Sequence, residues 1–129
     1  RLETLLAQLH KDNQPSLLLV HHPPQNGAAS PRRALSDRKQ LHEILMRYPV
    51  DLILHGHLHY PIEATLPGPR RPIPVLGTAS ASAVGAYKSV AHYHLIEVDS
   101  DHQPARLKVK HYYYSPDERR FELAKTAEL

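Results

Sequence analysis

Two stretches of the sequence decide the fold: SLLLVHHPP at residues 16–24 and DLILHGHLH at residues 51–59. Each begins with a short apolar run, and a run of this length between polar residues or prolines is typical of a strand buried on both faces. Histidines follow each run directly. Because the sequence between the two runs predicts a helix, the whole segment has the strand–helix–strand order of a parallel βαβ unit.

The rest of the chain changes from helical to strand patterns. A first helix is predicted from leucines at helical spacing, at positions 2, 5, 6 and 9. The second helix is expected to begin at an N-cap on Ser36 and to run through Tyr48, where Pro49 ends it. Further strands are expected at residues 62–66, 73–76, 89–98 and 105–114, with an additional edge strand at 119–123. We therefore predict an α/β fold, a βαβ unit followed by antiparallel strands, in one domain that covers residues 1–129.

Composition excludes several classes of protein. The 129 residues include no cysteine, so disulfides and thiolate zinc sites are excluded. The formal charge is +3 with the basic residues scattered, so no nucleic-acid partner is predicted. No apolar run is long enough to span a membrane, and we expect a cytoplasmic protein without a membrane partner. The chain opens at Arg1, inside the first predicted helix, so we expect its natural N-terminus to lie further upstream.

Five of the eleven histidines follow the two buried strands, His21 and His22 after the first and His55, His57 and His59 after the second. The carboxyl ends of adjacent parallel strands meet at the sheet edge where open α/β folds bind ligands. Neutral imidazole suits zinc, iron, manganese and similar ions. The sequence therefore predicts a metal site at this edge, with His21, His57 and His59 as its ligands.

Three further residues near this edge are weaker candidates for binding substrate. His22 follows His21 directly, and Arg32 with Arg33 lies in the loop that leaves the site, where a guanidinium can bind phosphate. A solvated side chain explains each of them as well, and we favour that interpretation for all three.

Other histidines are expected to be structural. His55 lies on the buried strand itself, which favours a hydrogen-bonded core residue over a ligand. His92 and His94 form a second H-x-H pair, but within a strand that carries no matching motif. We expect both to be structural.

The two motifs carry a resemblance to a known family. GHLH at 56–59 matches the G-H-x-H motif that closes the metallophosphoesterase signature, and HHPP at 21–24 matches the motif that precedes it. GTAS at 77–80 and the strand around residues 93–98 are similar too. The chain thus resembles the C-terminal part of a calcineurin-like metallophosphoesterase, and among these the bacterial cyclic-nucleotide-phosphodiesterase-like members.

This resemblance implies a four-layered α/β/β/α sandwich with two divalent or trivalent metal ions, which would be manganese, iron or zinc. By resemblance, His21 and His57 would bind the second metal and His59 the first. Such a pair of ions can bind a phosphoryl oxygen and activate a water for hydrolysis, here of a small-molecule phosphoester, with a phosphodiester favoured. The family's earlier motifs supply a bridging aspartate, but Asp51 lies at the wrong end of its strand and Asp37 at a helix start. We therefore expect the isolated chain to be inactive.

Two alternatives come from other classes. The chain can be a catalytically dead remnant that serves as a binding or interaction module. The second alternative is a metallohydrolase of the metallo-β-lactamase type, which also uses H-x-H. That pattern requires an Asp-His soon after the pair, whereas Tyr60 and Pro61 follow here, so this alternative is disfavoured.

Overall fold

The structure is a computed structural model that describes residues 1–28, 30, 34–83 and 90–129. In this part of the chain no helix is long and apolar enough to cross a membrane. The elements are α1 (Leu2–Lys11), β1 (Leu17–Val20), α2 (Arg38–Leu45), β2 (Leu52–His55), β3 (Ile62–Leu66), β4 (Ile73–Gly77), β5 (His92–Asp99), β6 (Arg106–Ser115) and β7 (Arg120–Glu128).

The strands form two sheets. Sheet A has the order β1-β2-β4-β3, in which β1, β2 and β4 are parallel and β3 is antiparallel to β4. Sheet B is an antiparallel meander of β5, β6 and β7. The predicted βαβ unit followed by antiparallel strands is therefore confirmed.

Sheet A lies between two layers because its strands are apolar on both faces. On one face Ile53 and Val75 pack with Leu6 and Leu45 of the two helices. On the other face Leu52 and Leu76 pack against Leu107 and Val109 of sheet B, and Leu52 and Leu107 are fully buried. The described residues thus form three layers, α/β/β, of the four that the resemblance implies.

The predicted start of the second helix was wrong. Helix α2 begins at Arg38, and Asp37 rather than Ser36 precedes it, without a side-chain cap hydrogen bond. The Ser36 hydroxyl donates instead to the Asp37 carboxylate at 3.1 Å, so it does not reach the helix amides. The helix also ends at Leu45, three residues before the predicted end.

Two strand boundaries also differ from the prediction. Strand β7 extends to Glu128, well past the predicted end at residue 123, because it pairs with nearly the whole of β6. Strand β5 begins at His92, whereas the prediction began at residue 89, which lies outside the described residues.

Asp51 joins the two sheets at the edge opposite the histidines. One carboxylate oxygen accepts the Ser16 amide at 2.9 Å, and the other accepts the Ala105 amide at 3.2 Å. The guanidinium of Arg71 lies 4.0 Å away. Asp51 is buried, and its two hydrogen bonds fix the starts of β1, β2 and β6. This position agrees with the sequence analysis, which placed Asp51 at the end of its strand away from the histidines.

Candidate metal centre

The parallel register brings the two histidine motifs to the same edge of sheet A. Val20 is paired with His55 at the ends of β1 and β2, and the Gly56 amide donates to the His21 carbonyl at 3.3 Å. The residues that follow each strand therefore leave the sheet side by side.

His21, His22 and His57 form one group, which we term the edge cluster. One ring nitrogen from each lies within 4.8 Å of the others. His21 Nε2 and His57 Nδ1 are 3.2 Å apart, and the His22 ring lies tilted on the His57 ring at a centroid distance of 4.3 Å. His22 is half-buried within the cluster.

In the GHLH segment the left-handed backbone conformation lies at the two histidines and not at the glycine. His57 has φ 66° and His59 has φ 61°, both in the left-handed region. The Leu58 amide donates to the Gly56 carbonyl at 2.8 Å, which closes a three-residue turn centred on His57. Histidine tolerates this region better than branched residues do, and such strain concentrates at functional sites. The φ of Gly56 itself is not positive.

A histidine that the sequence analysis missed holds the HHPP loop. His42 Nε2 lies 2.7 Å from the Pro24 carbonyl, and it must donate because a carbonyl only accepts. Pro23 and Pro24 are fully buried. The loop that carries His21 and His22 is therefore fixed to helix α2. The sequence offers no motif for this contact, since it joins residues 18 positions apart.

His55 is a hydrogen-bonded core residue, as expected. It is buried, and its Nδ1–H donates to the Gly56 carbonyl at 3.2 Å. Its Nε2 then accepts from the Gln25 amide at 3.3 Å. Burial lowers the pKa of His55 and keeps the ring neutral. A Cβ at Gly77 would lie 2.6 Å from the His55 ring, so only glycine permits this close packing.

The remaining predicted site residues are not in the edge cluster. His59 is exposed and lies outside the group of three. Arg32 and Arg33 lie outside the described residues. His92 and His94 join a different group, with His111 on sheet B.

The edge cluster fits part of a metal site. Two nitrogen ligands of one tetrahedral ion, each at about 2.0–2.1 Å, lie roughly 3.3 Å apart. The 3.2 Å between His21 Nε2 and His57 Nδ1 matches that spacing. Among the described residues this group contains histidines alone, so it offers nitrogen ligands without a carboxylate.

The comparison with protein families gives a match over the first part of the chain. Residues 2–61, which hold both histidine motifs, match the model of the calcineurin-like phosphoesterase family. The match confirms the resemblance to the calcineurin-like phosphoesterase family. Metal-dependent phosphoester hydrolysis is the chemistry of that family.

Among solved structures, the chain is similar to wild-type Vps29 from Entamoeba histolytica in complex with Zn²⁺. The identity is 14% and the TM-score 0.49, over 79% of this chain and 51% of that one. The chain thus spans about half the length of the matched structure. Curated proteins give no match.

Proposed function

We propose that the chain supplies histidine ligands to the dinuclear centre of a metal-dependent phosphoesterase whose substrate is a small phosphodiester. His21 and His57 bind one divalent ion, and His59 binds the other. The observation that carries the proposal is the 3.2 Å between ring nitrogens from two neighbouring strand ends. The family match over residues 2–61 supports the same chemistry.

The chain's own residues would hold and orient the ions. The left-handed turn at His57 directs its ring toward His21, and the His22 ring packs on it. When bound, the ions supply Lewis-acid activation of the phosphoryl group and of water. His22, Arg32 and Arg33 are proposed to contact the substrate phosphate, and His22 is well placed for this because it lies beside His57.

The centre needs ligands that the edge cluster does not provide. Two ions at about 3.5–4 Å require a bridging group, and a carboxylate serves best. The edge cluster contains none, and Asp51 lies at the other end of β2. We therefore propose that the bridge and the other ligands come from sequence outside these 129 residues, and that the chain alone is inactive.

The test compares hydrolysis of bis(p-nitrophenyl) phosphate, with Mn²⁺, by this chain and by the longer product of its gene. We expect turnover from the longer protein only. His21→Ala, His57→Ala and His59→Ala should each lower it severely, with partial rescue by added metal because a lost ligand weakens occupancy. His10→Ala, which changes an exposed histidine of α1, is the matched control. Turnover by the 129-residue chain that His57→Ala abolishes would contradict the need for outside ligands.

A second candidate is an interaction module without activity. Sheet B exposes apolar and aromatic side chains on its outer face, with Tyr93, Leu95, Phe121 and Leu123 each 40–51% exposed. The Tyr93 ring stacks on Tyr112 and lies edge-on to Phe121, so part of this surface is contiguous. Such surfaces often bind proteins. A longer gene product that binds Mn²⁺ but hydrolyses nothing would favour this function.

A further inference from the structure

Sheet B carries a second group of three histidines, His92, His94 and His111, which we term the sheet cluster. Their ligand atoms lie within 4.8 Å of one another. His92 and His94 alternate with exposed residues on β5, so they project from the same face. His111 on β6 is paired directly with His94. The cluster is therefore built by strand pairing, not by a flexible loop.

The sheet cluster faces the interior. His111 is only 3% exposed, and His92 and His94 are half-buried where they line a cleft of about 390 Å³ between the two sheets. The His94 and His111 rings meet edge to face at 4.6 Å, and those of His92 and His94 at 5.1 Å. The three rings thus converge on one buried point.

Their nitrogens are not satisfied by the surrounding protein. In residues 1–28, 30, 34–83 and 90–129, buried His92 Nε2 and both ring nitrogens of His94 have no hydrogen-bond partner within bonding geometry. The Gly77 backbone lies near enough to His94 to favour protonation slightly, but it does not complete such a bond. Histidines that merely fill a core are normally hydrogen-bonded, so this arrangement needs another explanation.

We propose that His92, His94 and His111 form a second transition-metal site, separate from the edge cluster, that takes zinc or a similar divalent ion. Three imidazoles are a common ligand set for zinc, which leaves one position for water or a carboxylate. The ligand nitrogens lie within 4.8 Å of one another, and rotation of the rings would bring them to the roughly 3.3 Å that tetrahedral binding needs.

The charged groups beside the sheet cluster are a carboxylate and the lysine that binds it. The Glu63 carboxylate of β3 lies 3.9 Å from His111 Nδ1, where it offsets part of the charge of an ion. Lys125 donates to the same carboxylate at 2.7 Å, which holds Glu63 in place. Burial lowers the pKa of all three histidines, and it lowers that of His94 to about 4, so their lone pairs are free at neutral pH.

The ion would join β5 to β6 next to sheet A and so stabilise the fold. A ligand that binds only the folded state raises stability by mass action. This role is independent of the proposed phosphoesterase activity, because it needs neither the edge cluster nor any sequence outside the chain.

The test measures zinc stoichiometry and melting temperature after chelator treatment and dialysis against Zn²⁺. His21→Ala/His57→Ala removes the edge cluster, and this double variant should retain one bound zinc and a zinc-dependent rise in melting temperature. Adding His92→Gln and His94→Gln should abolish both the bound zinc and the zinc-dependent rise in melting temperature. The affinity of the chain for zinc should fall by at least about 10–100-fold, because removal of a residue that only hydrogen-bonds to a metal ligand already produces a loss in that range. His10→Ala in the same background is the matched control.

Loss of all zinc from His21→Ala/His57→Ala would overturn the proposal, and so would retention of zinc after both added substitutions. Should the combined variant fail to fold, the ring ¹⁵N signals of His92, His94 and His111 in the wild-type chain decide. They should shift on saturation with Zn²⁺, and unchanged signals would refute the site.

Discussion

Replacement of Asp51 by alanine should destabilise the chain more than any surface change. The carboxylate accepts two backbone amides, those of Ser16 and Ala105, and both residues are buried at 6% and 1% exposure. Asp51→Ala leaves both donors unpaired away from water, which costs about 1–3 kcal/mol each. We therefore expect a loss of about 4 kcal/mol, a large part of the 5–15 kcal/mol that is usual for a domain of about this size.

Urea unfolding followed by far-ultraviolet circular dichroism measures this loss as a lower midpoint at unchanged slope. Asp51→Asn keeps one carbonyl oxygen, so its loss should be about half as large. Asp101→Ala is the matched control, because Asp101 is exposed on the β5–β6 turn and should change stability by less than about 0.5 kcal/mol. A loss below about 1 kcal/mol for Asp51→Ala would show that Asp51 does not join the sheets as we describe.

Three other perturbations have definite outcomes. Gly77→Ala should lower stability by about 1–3 kcal/mol, because the new methyl group meets the His55 ring, and urea unfolding should show a smaller loss in a His55→Ala background. His42→Ala should speed amide exchange in residues 21–28, since it removes the bond to the Pro24 carbonyl, whereas Lys39→Ala on the same helix should not. In the presence of a chelator, acid should destabilise the fold through His94. Its pKa is about 4 when folded and near 6.5 when unfolded, so stability is full above pH 6.5 and falls toward pH 4. The other ionisable groups around His94 are His92, His111 and Glu63. A pH-independent urea midpoint over that window would contradict the burial of His94.

The sequence was a good guide where local patterns decide the structure. Short apolar runs located β1 and β2, because strands buried on both faces must be apolar throughout. Parallel pairing then placed His21 and His57 together, since strand ends meet at one edge.

The sequence was a poor guide where structure depends on distant partners. His111 was missed because only the register of β5 with β6 brings it opposite His94, 17 positions away. His42 was missed because its partner is a backbone carbonyl, which leaves no trace in the sequence. The left-handed conformation of His57 was not predicted, because it depends on a local hydrogen bond from the Leu58 amide to the Gly56 carbonyl.

The two histidine groups differ in what holds them, and this difference decides what each can do. The edge cluster lies on loops, with His57 in a left-handed turn and the HHPP segment held by the side-chain bond from His42 and by the Gly56 amide, which donates to the His21 carbonyl. Its rings can therefore adjust, which the proposed metal centre would need in order to accept a substrate and further ligands. The sheet cluster stands on regular strands whose pairing continues on both sides of His94 and His111. A metal bound at the sheet cluster would contact residues that the strands already hold in place, so its loss should lower the free energy of unfolding. We propose that metal at the edge cluster instead serves the activity of a longer protein, so its loss should lower that activity.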